Sequence, residues 1–209
     1  MLKLRHAIVA LILSIAPLLS FAQVSVGIGL PNVSIGINIP VYPQLVRIPD
    51  YPVYYAPHVV ANYFFYDGMY WVFQDDDWYV SAWFNGPWSP VARVDLPAFI
   101  LRIPVRYYHH PPVYFRGWQP DRPPRWGEHW GHDWERRRID WDRWDRHNVP
   151  PPAPRPSYQR RYSGERYPHQ IERQYELNRE RYHYQPRDPV VRKQYQQPGR
   201  GHGRGRDRD

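Results

Sequence analysis

The chain has 209 residues and a formal net charge of +8 at pH 7, with 25 Pro, 13 Gly, 17% aromatic residues and no Cys. Because Leu, Ile, Val and Phe together make up only about 23% of the chain, the composition excludes a large α/β enzyme core. The lack of Cys excludes disulfides, thiolate metal sites, thiol catalysis and lipid attachment at a processed N-terminal Cys.

Residues 1–22 are predicted to form a secretory signal. Lys3 and Arg5 precede an apolar run of 13 residues, and Ser20 and Ala22 supply small residues at the −3 and −1 positions of a cleavage site. The run is shorter than the roughly 20 residues that span a bilayer, which favours cleavage after Ala22 over a membrane anchor. We therefore expect a protein without a transmembrane span after signal removal. Its expected location is the periplasm or outer surface of a Gram-negative bacterium.

Residues 23–57 are predicted to contain two short strands and a connector. The motif VSVGIGLP at 24–31 is repeated as VSIGINIP at 33–40, and each copy alternates aliphatic residues with Ser, Gly or Asn. This period of two is typical of strands. Five Pro at positions 40–57 lie among Tyr and Val, which predicts an extended, polyproline-like connector.

Residues 58–106 are predicted to form a small antiparallel β domain. Aromatic runs are separated by Asp67-Gly68 and by Asp75–Asp77, and the last run is followed by Asn85-Gly86. Asp-Gly and Asn-Gly between such runs favour two-residue type I′ hairpins. The apolar residues 96–103 fit either a helix or a last strand. A connector rich in Pro and aromatic residues is expected at 107–124.

Residues 125–147 are predicted to form one amphipathic helix. At 100° per residue its five Trp share an arc of roughly 80°, and its six Arg balance six acidic residues. Packing of this stripe on the meander is favoured over a membrane interface, because membrane-binding helices are typically basic. Stacking on a glycan or another partner stays open. The stripe consists of Trp126, Trp130, Trp134, Trp141 and Trp144.

Residues 148–209 are predicted to be a disordered Arg/Tyr-rich tail. They carry 14 Arg or Lys against 7 acidic residues, and Leu, Ile, Val and Phe make up only about 8%. Arg interleaved with Tyr is a composition that binds anionic polymers. Export favours an anionic envelope surface or glycan over intracellular nucleic acid, and a solvated linker with no partner is the alternative. The candidate binding residues are Arg160, Arg161, Arg200, Arg204 and Arg206.

Two His and several acidic residues are weaker candidates for chemistry. His129 and His132 are spaced to share a metal on a helix, but the sequence offers no evident further ligands. Asp75–Asp77 lacks the spacing of a calcium loop and fits a polar turn. Because no Ser has a suitable turn or a paired base, we expect neither an enzyme nor a cofactor.

The motifs also resemble a group of known sequences. YPVYYAP (51–57), NYFFYDGMYWV (62–72) and PPRWGEHWGHDW (123–134) resemble small exported proteins of Burkholderia and Ralstonia-type proteobacteria. The resemblance covers roughly residues 1–147. It implies export and no assigned activity, so it transfers no functional residues.

The sequence therefore predicts a mainly β protein with an aromatic meander, one Trp-striped helix, Pro-rich connectors and a basic tail. The leading hypothesis is a non-enzymatic envelope protein that associates with an anionic component through its tail. The alternatives are a glycan- or peptidoglycan-binding module that uses aromatic side chains, and a periplasmic metal-handling protein. A protein partner stays open.

Overall fold

The structure, a computed structural model, describes residues 35–196, except for the side chain of residue 196. Its centre is a six-stranded antiparallel sheet in which every strand pairs with its neighbours in the chain. This arrangement confirms the predicted aromatic meander and the mainly β class. The strands are β1 Val46–Arg47, β2 Val53–Tyr55, β3 Asn62–Tyr66, β4 Met69–Gln74, β5 Asp77–Ser81 and β6 Ser89–Val91.

Short helices surround the sheet. The apolar residues 96–103, for which the sequence allowed helix or strand, contain a helix. In the part of the chain that the structure describes, no helix has the length and apolar character to cross a membrane. The α-helices are α1 Ala98–Leu101, α2 Trp126–Trp130, α3 His132–Arg137, α4 Ile171–Arg181 and α5 Pro189–Gln196.

Two tight turns join the central strands. Asp67-Gly68 links β3 to β4 with φ of 49° and 90°, and Asp75-Asp76 links β4 to β5 with φ of 52° and 65°. Positive φ at both positions is what a type I′ turn requires. The third predicted hairpin turn, at Asn85-Gly86, is wrong. Asn85-Gly86 lies inside the longer connection between β5 and β6. β5 ends at Ser81, and Trp83 lies outside the strand pairing with its side chain in the core, 1% exposed.

The predicted connector at residues 40–57 contributes two strands. Pro52 and Pro57 lie on either side of β2 and do not interrupt it, so β2 pairs with β3 through three residues. In the second repeat, residues 35–40 form no strand, and Ile35 and Ile39 pack against the sheet as buried side chains. The first repeat and the signal at 1–22 lie outside the described residues.

Both faces of the sheet are buried. Phe64 and Trp71 point to a first face and Tyr63 and Tyr70 to a second. All five residues of β3 are buried, as expected for a strand that is covered on both sides. The aromatic side chains supply the large buried area that the scarce aliphatic residues cannot.

Residues 93–144, here called the Trp cover, pack on the first face. Trp126 is fully buried and its indole N–H donates to the carbonyl of Leu101 at 2.9 Å. The indole N–H of Trp134 donates to the carbonyl of Arg93 at 3.0 Å. The indole rings of Trp126 and Trp130 stack with centroids 4.3 Å apart. The stripe thus packs against the sheet.

The predicted continuous helix at 125–147 is wrong. Gly131 has φ of 86° and ψ of 169°, which breaks the segment into α2 and α3, and Asp140 has φ of 62°. After α3 the chain forms turns whose carbonyl groups, at Asp140, Trp141 and Arg143, accept hydrogen bonds from the guanidinium of the buried Arg102. Trp141 and Trp144 therefore reach the core from turns.

The prediction of a disordered tail is wrong for residues 148–196. Residues 153–195, here called the Tyr cover, pack mainly on the second face through Gln159, Tyr167, Leu177 and Tyr182, which are all buried. Val191 of α5 reaches the first face. Tyr and amide side chains fill this interface and hydrogen-bond within it, whereas the prediction counted only aliphatic residues. Residues 197–209 lie outside the described part.

Candidate functional site

A surface groove lies on the Tyr cover, between a 3-10 turn at Ser157–Tyr162 and the end of α4. It consists of two adjoining cavities of about 320 Å³ each, which share Ser157, Tyr158 and Arg181. This volume is within the range of ligand sites. We call it the Arg/Tyr groove. It is lined by Pro154, Arg155, Pro156, Ser157, Tyr158, Arg161, Tyr162, Arg181, Tyr182, His183 and Tyr184.

The sheet holds the 3-10 turn in place through Gln159, which is fully buried. Its side-chain carbonyl accepts the hydroxyl of Tyr70 at 3.0 Å, and its amide N–H donates to the carbonyl of Ala82 at 2.9 Å. Tyr158 donates to the side-chain carbonyl of Asn178 on α4 at 2.7 Å. The groove therefore has walls that are fixed before a ligand arrives, which lowers the entropic cost of binding.

The far wall of the groove is held by Asp67 in the β3–β4 turn. Asp67 is 5% exposed. One carboxylate oxygen accepts the hydroxyl of Tyr184 at 2.5 Å, and the other accepts the backbone N–H groups of Arg187 and Asp188 at 2.8 Å each. We call this the Asp67 clamp. It fixes Tyr184 against the turn and satisfies the buried carboxylate with three donors.

The charge of the groove is positive. Arg155, Arg161 and Arg181 line it, and no Asp or Glu does so among the described residues. Arg161 has no ion pair within the described chain. Arg181 pairs with Glu180 at 3.0 Å, with the two side chains 54% and 58% exposed. Exposed pairs of this kind contribute little, so Arg181 is free to exchange Glu180 for another anion.

The predicted binding residues of the tail divide into three groups. Arg161 lines the groove. Arg160 lies outside the lining, with its guanidinium 5.5 Å from the ring centroid of Tyr42. Arg155 also lines the groove but was not among the predicted residues, and its guanidinium donates to the carbonyl of Leu45 at 3.1 Å. The remaining candidates, Arg200, Arg204 and Arg206, lie outside the described residues.

The phenol groups of Tyr158, Tyr182 and Tyr184 are neutral at physiological pH. Burial raises the pKa of Tyr158 and of Tyr182 well above the ordinary value. Burial also raises the pKa of Tyr184, and its hydrogen bond to Asp67 adds to this effect. The groove therefore offers aromatic faces and neutral hydroxyls beside permanent guanidinium charges.

The five Trp of the predicted binding stripe have packing contacts. Trp126 is fully buried and Trp134 is 6% exposed. The other three are half-buried, and Trp144 packs its ring on Tyr51 at 5.0 Å and on Phe99 at 5.3 Å. Glycan platforms need open ring faces, so the structure gives no support to a glycan site on Trp126 or Trp134.

The two candidate metal ligands lie in different environments. His129 Nε2 is 2.8 Å from a carboxylate oxygen of Asp76, and its ring stacks on Tyr114 at 3.7 Å. The side chain of His132 is 91% exposed. Within residues 35–196, no group of three or more His, Cys, Asp or Glu is placed to hold a metal ion.

Asp76 is the centre of a cluster that the sequence analysis interpreted only as a polar turn. Besides His129, its carboxylate accepts the hydroxyl of Tyr114 at 2.7 Å and the guanidinium of Arg93 at 2.7 Å. These donors are 17, 38 and 53 positions away in the chain. Because these partners are far apart in the chain, no local sequence motif indicates that they contact Asp76. We call this cluster the Asp76 clamp.

Comparison with known proteins returned no match: no family model, no curated protein and no solved structure matches the chain.

Proposed function

We propose that this chain is a non-enzymatic, exported protein of the bacterial cell envelope that binds an anionic envelope component through the Arg/Tyr groove. The observation that carries the proposal is the convergence of Arg155, Arg161 and Arg181 on one preformed groove, to which the described residues contribute no carboxylate. The signal pattern of residues 1–22 supports export. Export in turn favours an envelope component over intracellular nucleic acid as the partner.

The side chains of the groove suit anionic groups on a glycan or glycolipid. A guanidinium presents a planar set of donors that matches phosphate or carboxylate in a bidentate manner. Tyr158, Tyr162 and Tyr184 add aromatic faces beside these donors. Anion recognition by Arg with stacking on Tyr is the combination that the tail composition indicates.

The same side chains support binding more than catalysis. Arg does not lose its proton in proteins, so the Arg side chains do not act as bases. Burial raises the pKa of Tyr158 and of Tyr182, so these two phenols keep their protons at neutral pH and do not act as bases either. Ser157 and His183 both line the groove, but no hydrogen bond joins them in the described chain. A serine nucleophile requires such an adjacent base.

Co-sedimentation of the purified protein with vesicles of phosphorylated lipopolysaccharide, at low and at high salt, tests the proposal, and the wild type is expected to pellet with the vesicles at low salt. Arg161→Gln combined with Arg181→Gln is expected to weaken binding at low salt roughly tenfold, because two charge-assisted contacts are lost. Both side chains are exposed, so the variant is expected to fold. High salt is expected to weaken binding of the wild-type protein to the vesicles toward the level of this variant.

Arg136→Gln combined with Arg137→Gln is the matched control, because it removes the same charge from the Trp cover. One Arg of each pair has a nearby acidic partner: Arg136 contacts Asp133 as Arg181 contacts Glu180. The control is expected to change binding less than twofold. Equal losses in the two double variants would show that net charge alone drives binding and would overturn the proposal, as would binding that salt does not weaken.

A further inference from the structure

A second cavity, which shares no lining residue with the groove, lies at the end of the sheet beside α4. Its walls come from the start of β4, the end of β5 and the facing sides of α4 and α5, and its volume is about 120 Å³. Tyr175 and Arg179 of α4 line it and are exposed. The cavity therefore reaches the surface at α4, which gives a ligand a route into it.

The inner wall of the cavity is largely apolar, and the polar side chains of Ser81, Ser89 and Gln194 also line it. Met69, Val80, Ala82 and Trp83 contribute to it from the sheet side, and Ile171 from α4. Aliphatic and aromatic walls of this kind take up the apolar part of a small ligand.

Two buried amides shape the wall but have protein partners. The side-chain N–H of Gln174 donates to the carbonyls of Gly86 at 3.1 Å and Pro168 at 2.7 Å. The side-chain N–H of Asn178 donates to the hydroxyl of Tyr195 at 3.2 Å. The amides therefore fix the position of α4 over the sheet and link it to α5.

Among the described residues, Arg179 is the one charged residue that lines the cavity. The other two Arg of α4 pair with Glu on the same helix, Arg173 with Glu176 at 3.2 Å and Arg181 with Glu180 at 3.0 Å. Arg179 has no ion pair among the described residues. A cation without a partner at the mouth of an apolar cavity suits the anionic head of an amphipathic ligand.

The volume limits the size of the apolar part. Apolar cavities of about 150 Å³ take up benzene, and this cavity is slightly smaller at about 120 Å³. A single six-membered ring or a short aliphatic chain fills such a space when its head group lies outside, at Arg179.

We propose that this cavity binds a small amphipathic carboxylate whose apolar body is about the size of a benzene ring. Its body occupies the apolar wall beside Ala82 and Trp83, and its carboxylate contacts Arg179. The site is separate from the Arg/Tyr groove and does not depend on the proposed envelope function.

Calorimetric titration of the purified protein with benzoate tests the site, with benzamide as the neutral probe of the same shape. The wild type is expected to bind benzoate about tenfold more tightly than benzamide, because only benzoate offers the charge to Arg179. Arg179→Gln is expected to weaken the binding of benzoate about tenfold and to leave the affinity for benzamide unchanged. The side chain is exposed, so this variant keeps the fold.

Two controls separate the site from other effects. Arg173→Gln removes a charge from the same helix outside the lining and is expected to leave benzoate binding unchanged, as is the double variant of the groove. Ala82→Leu, checked for folding by circular dichroism, is expected to fill the cavity and to lower the affinity for benzoate and for benzamide at least tenfold. The proposal is overturned if about 20 mM benzoate gives no binding heat. It is also overturned if Arg179→Gln or a folded Ala82→Leu variant binds benzoate like the wild type.

Discussion

The Trp cover and the Tyr cover bury opposite faces of one sheet with different side-chain chemistry. The Trp cover inserts large indoles such as Trp126, which is fully buried. The Tyr cover inserts Tyr167 and Tyr182 together with the amides of Gln159 and Gln174. The comparison shows that a basic segment with few aliphatic residues forms a packed layer when its polar atoms have hydrogen-bond partners.

The two covers are also attached by comparable clamps at opposite ends of β4. Asp67 comes just before β4 and holds the Tyr cover, and Asp76 comes just after it and holds the Trp cover. Asp67 is buried and accepts from neutral donors. Asp76 has a side chain that is 31% exposed and accepts from Arg93, His129 and Tyr114. The Asp76 clamp therefore depends more strongly on charge.

The largest expected effect tests whether the two covers pack equally well. Trp126→Ala is expected to lower the free energy of unfolding by about 3–5 kcal/mol, and Tyr182→Ala by about 2–4 kcal/mol, because each removes a buried ring from a core. Urea unfolding followed by circular dichroism measures both. Ile139→Ala, at a side chain 75% exposed, is the control and should change stability by less than about 0.5 kcal/mol. A cost for Tyr182→Ala as small as that of the control would show that the Tyr cover is not part of the core.

A smaller effect is expected when the Asp67 clamp is removed. Asp67→Gly keeps the positive φ of the turn but leaves Tyr184 and two backbone N–H groups without their acceptor, which should cost about 2–3 kcal/mol. Asp75→Gly is a matched control, because Asp75 also has positive φ and its exposed carboxylate accepts a hydrogen bond from Gln74 alone within residues 35–196. Urea unfolding of both variants makes the comparison. Equal stability of the two would mean that Asp67 does not hold the Tyr cover.

The smallest effect is a dependence of stability on pH through the Asp76 clamp. Burial alone would raise the pKa of Asp76, but hydrogen bonds from Tyr114 and His129 and the charge of Arg93 lower it overall. The unfolded chain then binds the proton more readily, so the contribution of Asp76 is present above about pH 3.9 and lost as pH falls through its lowered pKa.

Urea unfolding at pH values from 7 to about 3 measures this contribution. The wild type should lose roughly 1 kcal/mol more than Asp76→Asn over that range. Asp75→Asn, at an exposed position of the same turn, should follow the wild type. The assignment to Asp76 fails if Asp76→Asn and the wild type lose stability in parallel.

The local parts of the fold could be predicted from the sequence. β3 and β4 coincide with the aromatic runs NYFFY and MYWVFQ, because a two-residue turn with positive φ leaves few alternatives for its flanking residues. The breaks in the Trp segment were less accessible. Gly131 is visible as a weak helix former, but its role as a break depends on how α2 and α3 pack against the sheet.

The Tyr cover and the groove could not be predicted in the same way. Arg161 was identified from composition, whereas its neighbour Arg181 comes from a different element. The hydrogen-bond partners of the buried Gln159 are 77 and 89 positions away, and a single sequence contains no signal for such contacts. Low aliphatic content predicts disorder only when no partner surface is available, and here the sheet supplies one.

Hydrogen–deuterium exchange of the purified protein, read by mass spectrometry, tests most directly whether the Tyr cover is folded. Backbone amides of α4, between Ile171 and Arg181, are expected to exchange slowly and together with those of β3 and β4. Residues 157–162 should also be protected, because Gln159 anchors them to the sheet. Exchange of α4 at the rate of an unfolded peptide, with β3 and β4 still protected, would contradict a folded Tyr cover and the preformed groove that it carries.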